Sequence, residues 1–427
     1  MRPIYLIHLS LILVAGLLAT FMPEIPQAKV GGAIDKGDTA WLLTASALVL
    51  LMTPGLSFFY GGMVRKKNVI STMLQSLVAM GVISVTWVAV GFSLCFGDSI
   101  GGVIGNPATF FMFRGVGMFT HPDFSPTIPF ALFSLFQLKF AIITPALISG
   151  AFSERVKFSS YLVFMVLFSI FIYAPLAHMT WHPDGLLRNW GVLDFAGGTV
   201  VHISAGMAAL AGSIYLGPRK EINHEAAHIP YVILGTGLLW FGWFGFNAGS
   251  SLAANQTATL ALMNTNTASA VAMLTWMFLD GVRGKKISAL GACIGAVIGL
   301  VGITPAAGFV SIGAAVLIGF ISAVCSNFAL SMKNRTEIDD TLDVFPCHGL
   351  GGIVGMILTG VFAKDVGLIY GETKTFYYHL IALILVMAFC FLGSWLLYWV
   401  SNFARPMRVT QEEEGLGLDL SQHGEHV

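Results

Sequence analysis

His202 and His348 each lie in an apolar stretch of membrane-spanning length, and each follows an aspartate. Asp194 precedes His202 in DFAGGTVVHISAG, and Asp343 precedes His348 in DVFPCHGLGGIVG. An ionisable group at bilayer depth is costly, by about 2.5 kcal/mol or more for a full charge, and so marks a functional site by default. Imidazole suits such a place because its neutral form offers one donor and one acceptor nitrogen and can pass a proton between them. The competing reading is two unrelated core histidines satisfied by neighbouring carbonyls.

Aromatic residues form a second constellation. Phe136 and Phe140 are one helical turn apart and share a face, Trp181 ends an apolar stretch, and Trp240, Trp243, Phe244 and Phe246 crowd another just before Asn247 and Ser250. Ring faces clustered near the end of a span can hold a cation, at about 0.5 to 2 kcal/mol per contact. Scattered aromatics such as Trp41 and Trp190 read instead as an interfacial belt.

A third motif suggests a metal enzyme. His224-Glu225-Ala226-Ala227-His228 matches H-E-x-x-H, with His182 and Asp184 as distant candidates for a third ligand. Zinc binding by this motif needs both histidines on one face of a continuous helix. Here the motif follows a basic Pro218-Arg219-Lys220 turn and runs at once into Ile229-Pro230, where proline favours a helix start. It therefore reads as a loop, and an intramembrane zinc protease is the unfavoured alternative; no metal or cofactor is expected.

The elements that must position these groups follow from composition. Of 427 residues, 56% are hydrophobic and only 10% charged, which makes the chain an all-α polytopic membrane protein. Eleven spans are expected near 39–63, 68–96, 128–151, 157–180, 195–217, 227–250, 256–279, 287–304, 308–331, 344–363 and 377–402. Charge is balanced, so nothing points to nucleic acid. Five cysteines without paired spacing read as small buried thiols.

Arg65, Lys66, Lys67, Arg155, Lys157, Arg219, Lys220, Arg283, Lys285, Lys286, Lys333, Arg335, Arg405 and Arg408 fall between spans on one side. The positive-inside rule makes that side cytoplasmic, with the mature N-terminus outside and the 403–427 tail inside, in an inner (plasma) membrane. Residues 1–28, with Arg2, an apolar run and Ala28, read as a secretory signal peptide, the alternative being an extra helix; 29–402 then form the membrane domain. The eleven spans divide as five plus five plus one. An odd repeat inverts the second copy, and His202 and His348 then occupy the fifth span of each half. Inverted repeats place binding sites at their interface near mid-bilayer.

These segments resemble the ammonium transporter family of the Amt/Rh type, in its bacterial form. The carrying residues are TPGLSFFYGG (53–62), FAIITPA (140–146) followed by Glu154-Arg155, DFAGGTVVH (194–202), GWFGFNAGS (242–250) and DVFPCHG (343–349). The resemblance implies a homotrimer with one pore per subunit that carries ammonium or ammonia. It implies that His202 and His348 are twin pore histidines and that Phe140 and Phe246 form a gate. Phe136, Phe140, Trp181 and Ser250 would form an outer ammonium site, with Asp194 and Trp243 supporting the pore structurally. The tail resembles the family segment bound by PII-type signalling proteins. A sensor using the same pore is the alternative function. Lys139 departs from the pattern; it is expected to face away from the cation site, at a helix interface or paired with a carboxylate.

Overall fold

Helices account for almost all of the architecture. In the computed structural model, which describes residues 3–23, 25–222 and 225–427, nine helical stretches are long and apolar enough to cross a membrane. We label the spanning helices α1 (Lys36–Met63), α2 (Lys66–Phe96), α3 (Phe130–Phe152), α4 (Phe158–Asn189), α5 (Gly198–Leu216), α6 (Ile229–Gly249), α7 (Gln256–Val282), α8 (Ala289–Ile303), α9 (Ile312–Lys333), α10 (Phe345–Phe362) and α11 (Lys374–Ala404). α7 is long but less apolar and α8 is short; both pack within the bundle, giving the eleven spans expected. Exposed Leu43, Phe241, Phe278, Phe320 and Ile384 clothe its outside in apolar surface suited to lipid. Two short hairpins, β1 (Ser99–Ile100) with β2 (Ile104–Gly105) and β3 (Thr120–His121) with β4 (Ser125–Pro129), fill the α2–α3 connection.

The two halves interlock through the loops that start α5 and α10. Phe195 N–H donates to Pro305 O beyond α8, and Leu342 N–H donates to Gly150 O at the end of α3, so each half closes on the end of the other's third span. At the crossing of α5 and α10 the backbones touch. A Cβ built on Gly206 would stand 2.2 Å from the Gly349 Cα, and one on Gly352 would stand 3.2 Å from the His202 Cβ. Small residues at such a crossing let two helices approach without a driving force from water.

At one end of the bundle, the tail face, buried ions join the inter-helix loops. Glu154 bridges Arg65 at 2.9 Å and Arg219 at 2.7 Å, and Arg219 also pairs with Asp339 at 2.8 Å. Burial opposes the charge on both carboxylates, but the guanidiniums outweigh it, holding Glu154 below its ordinary range and Asp339 down at about 2. The Arg155 guanidinium, wholly buried, is pushed down to about 10. Rather than trailing free, the tail docks on this network. Val156 and Arg408 form a β-bridge, Thr410 and Glu413 make a reciprocal capping box for the helix Gln411–Leu416, and Asp419 accepts from Ile70 and Ser71 N–H at 3.0 and 2.7 Å.

Candidate functional site

Each of the two histidines sits where a spanning helix begins in an unusual way. α5 opens with a π-helical segment, Gly198–Ile203, and α10 with another, Phe345–Gly349. Such wide turns are rare and concentrate at functional sites, because they re-aim a side chain that regular pitch would point elsewhere. His202 and His348 lie in these segments at 1% and 3% exposure, and their Nδ1 atoms are 3.3 Å apart with the rings nearly parallel. Only one of the two nitrogens can carry the proton of that contact. Among the described residues, the His202 Nε2 is buried without a partner.

Both helix starts are held by aspartates. Asp194 Oδ1 accepts from the N–H groups of Gly197 and Gly198 at 2.8 and 2.6 Å, and Oδ2 from Thr199 N–H at 2.7 Å and from the Thr199 hydroxyl. A carboxylate there satisfies orphan donors and complements the helix dipole. The sequence pairs Asp194 with Asp343, and the structure corrects that pairing. Asp340 accepts from the N–H groups of Val344 and Phe345 at 3.0 and 2.7 Å, and it precedes His348 by the same eight residues as Asp194 precedes His202. Asp343 instead holds Lys333 at 2.6 Å with a left-handed backbone, φ 57°. Burial, with Asp343 nearby, pushes Asp340 up to about 6.

The space around the imidazoles is small and apolar. Leu56, Phe59, Ile143, Leu147 and Val297 line it together with the two histidines, and its volume is about 10 Å³, room for one water-sized molecule. Trp243 stacks on His202 at 5.4 Å and donates from Nε1 to the Thr304 hydroxyl at 2.9 Å, so its ring is fixed as one wall of the channel.

Above the imidazoles, Phe140 and Phe246 meet face to face, centroids 4.3 Å apart and tilted by 35°, and Phe246 also reaches His202 at 6.1 Å. On their far side opens a vestibule of about 610 Å³ lined by Phe140, Trp181, Asp194 and Ser250. Trp181 stands edge-on to Phe140 at 5.8 Å, and its Nε1 donates to Asp194 O at 3.2 Å. The Ser250 hydroxyl donates to Phe246 O at 2.8 Å, which leaves its oxygen lone pairs free to accept.

Phe136 packs, 1% exposed, edge-on behind Phe140 and against Gly249, and the vestibule lining runs through Phe140 and Trp181. Lys139 is absent from the linings of both vestibule and channel and is 9% exposed. Among the described residues it makes no ion pair with a carboxylate, and of the two placements expected for it the buried helix interface is the one found. Of the zinc motif, His224 lies outside the described residues. Glu225 to Ala227 are not helical, and His228 is the N-cap of α6, its Nδ1 accepting from Tyr231 N–H at 3.3 Å; the continuous helix that zinc would require is not formed. The π-helical starts and the role of Asp340 escaped the sequence reading, although the eight-residue spacing was available to find the latter.

Known proteins resemble this chain along nearly its whole length. Residues 40–427 match the model of the Ammonium Transporter Family. The ammonium transporter of Aquifex aeolicus is 45% identical over 399 residues, 92% of this chain and 93% of that one. That of Bacillus subtilis is 44% identical over 403 residues, 92% and 98%. The crystal structure of Candida albicans Mep2 superposes with TM-score 0.85 at 37% identity, covering 92% of this chain and 90% of its own. A structure described as a sensor Amt protein reaches 0.84 at 30% identity, covering 91% and 98%. With sequence similarity along nearly its whole length and the same arrangement of membrane helices, the chain belongs to the ammonium transporter family.

Proposed function

We propose that the protein takes ammonium into the vestibule, removes its proton near the Phe140–Phe246 pair and conducts ammonia past His202 and His348. The observation that carries this reading is the sequence of spaces: a wide vestibule, a closed pair of rings, then an apolar channel of molecular width with two imidazoles in contact. An ammonium ion can rest against the faces of Trp181 and Phe140 and donate to the Ser250 oxygen. To go further as a cation it would shed its water in an apolar channel, at a cost far above that of leaving its proton behind. Potassium has no proton to leave and stops at the rings.

Past the rings, the unpartnered His202 Nε2 offers ammonia a polar contact in an otherwise apolar channel. The imidazole pair can also move the stripped proton by exchanging tautomers across its 3.3 Å contact. Asp194 acts in this scheme as a helix cap rather than as an ion ligand. The wide vestibule faces outside and the tail face lies in the cytoplasm, in keeping with the basic residues gathered there. A sensor role for the same pore is the second reading, favoured by the similarity to a sensor Amt protein.

Methylammonium uptake into proteoliposomes tests the outer site. Trp181→Leu is expected to raise KM about fivefold to tenfold, equivalent to the loss of one cation–π contact, with the maximal rate little changed. An unaltered KM would remove Trp181 from the site. The purified protein is expected to form a homotrimer by light scattering and to begin at Lys29 by intact mass; the helix Pro3–Phe21, with Leu9, Ile12, Leu13 and Leu18 more than 60% exposed, supports removal of residues 1–28.

The docked tail is proposed as the platform for a PII-type signalling protein. Deleting residues 409–427 is expected to abolish its binding in a pull-down, and retained affinity would refute the assignment.

A further inference from the structure

Outside the linings of the vestibule and channel, a second group of polar side chains gathers in the bundle. On the first turns of α2, Asn68, Thr72, Gln75 and Ser76 recur at helical spacing on one face, all at most 1% exposed, where α2 packs against α1 and α3. Thr53 of α1 is equally buried. α1 and α2 run antiparallel with Ser57 donating to Met73 O at 2.9 Å, so Thr53 lies one turn deeper, level with the end of this face.

Among the described residues, six polar atoms here have no hydrogen-bond partner: Thr53 Oγ1, Asn68 Nδ2, Thr72 Oγ1, both Gln75 amide atoms and Ser76 Oγ. Buried polar groups are almost always satisfied, and a group left alone costs about 1 to 3 kcal/mol, so six on one seam require a ligand. The seam carries no charged side chain, and its mixture of hydroxyls and an amide supplies donors and acceptors alike. That is the chemistry of water rather than of an ion.

We propose that this seam holds a file of two or three buried water molecules, running about 12 Å inward from the tail face behind the pore wall, and that the tail closes its mouth. The closure is specific. Asn68, at the outer end of the seam, accepts the Leu418 N–H on its Oδ1 at 2.8 Å, while Asp419 caps the same helix start. The tail thereby controls exchange between the seam and bulk water.

Solid-state NMR of the full-length protein in lipid, with ¹⁵N-labelled glutamine, tests both parts. The Gln75 side-chain amide is assigned by its disappearance in Gln75→Leu, and the readout is magnetisation transfer from water. Transfer comparable to that of Gln137, which lines the vestibule, is expected, and it should fall at least about twofold in Thr72→Val with Ser76→Ala, which removes water partners. No transfer to Gln75, or transfer indifferent to the double substitution, would overturn the hydrated seam.

Leu418→Pro tests the closure, because Leu418 already has φ −76° and the substitution removes the N–H that meets Asn68, while Leu418→Ala, which keeps that N–H, controls for loss of the buried leucine side chain and is expected to leave exchange at Gln75 slow. Amide-proton exchange at Gln75 is expected to speed up roughly fivefold, the equivalent of one hydrogen bond. Unchanged exchange would overturn the role of the tail.

Discussion

Replacing both channel histidines, His202→Ala with His348→Ala, is expected to cut the ammonium-evoked current in proteoliposomes by at least about tenfold and to make what remains permeable to potassium. A tenfold loss corresponds to about 1.4 kcal/mol of barrier, a modest demand on two groups that here supply the polar contacts of an apolar channel. The loss of selectivity follows from size. The native space is about 10 Å³, and removing two rings that touch at 3.3 Å leaves room for several waters, through which a hydrated cation can pass. Each single variant keeps one imidazole but loses the Nδ1–Nδ1 contact, so it is expected to lose current while still excluding potassium. Solid-supported membrane currents with ammonium and potassium gradients measure both properties. Undiminished and fully selective current in the double variant would sink the relay.

Gly206→Ala is expected to be as damaging, although it adds only one methyl. A Cβ at position 206 meets the backbone of Gly349 at 2.2 Å, and a backbone cannot turn aside as a side chain can. α5 and α10 must separate, at a cost of about 1 to 3 kcal/mol for an overpacked contact, and the separation opens the imidazole pair. Lower thermal stability in detergent and loss of most methylammonium uptake by the protein that remains folded are the expected outcomes. Gly237→Ala serves as the control: its Cβ would meet nothing within 4 Å, and removing a mid-helix glycine is neutral or slightly stabilising. Equal behaviour of the two variants would show that the close crossing does not set the histidine contact.

The sequence by itself determined the membrane class, the eleven spans and the identity of the two histidines. Span length is imposed by the thickness of hydrocarbon, and an uncompensated titratable group stands out in an apolar run whatever its neighbours. It also marked Phe140, Trp181, Phe246 and Ser250, which gather at one mouth of the channel. What it could not determine was which partners meet. Asp343 looked like the counterpart of Asp194 because it is nearer to His348, yet the cap is Asp340, since a left-handed turn at Asp343 carries that carboxylate to Lys333 instead. Phe136 shares a helical face with Phe140 but ends behind it, against Gly249, because α6 occupies the space beside it. The 3.3 Å histidine contact depends on two π-helical starts and on Gly206 meeting Gly349 across the interface of two inverted halves. Composition and spacing fix what each helix can bury; only the crossing of helices distant in sequence decides which atoms touch.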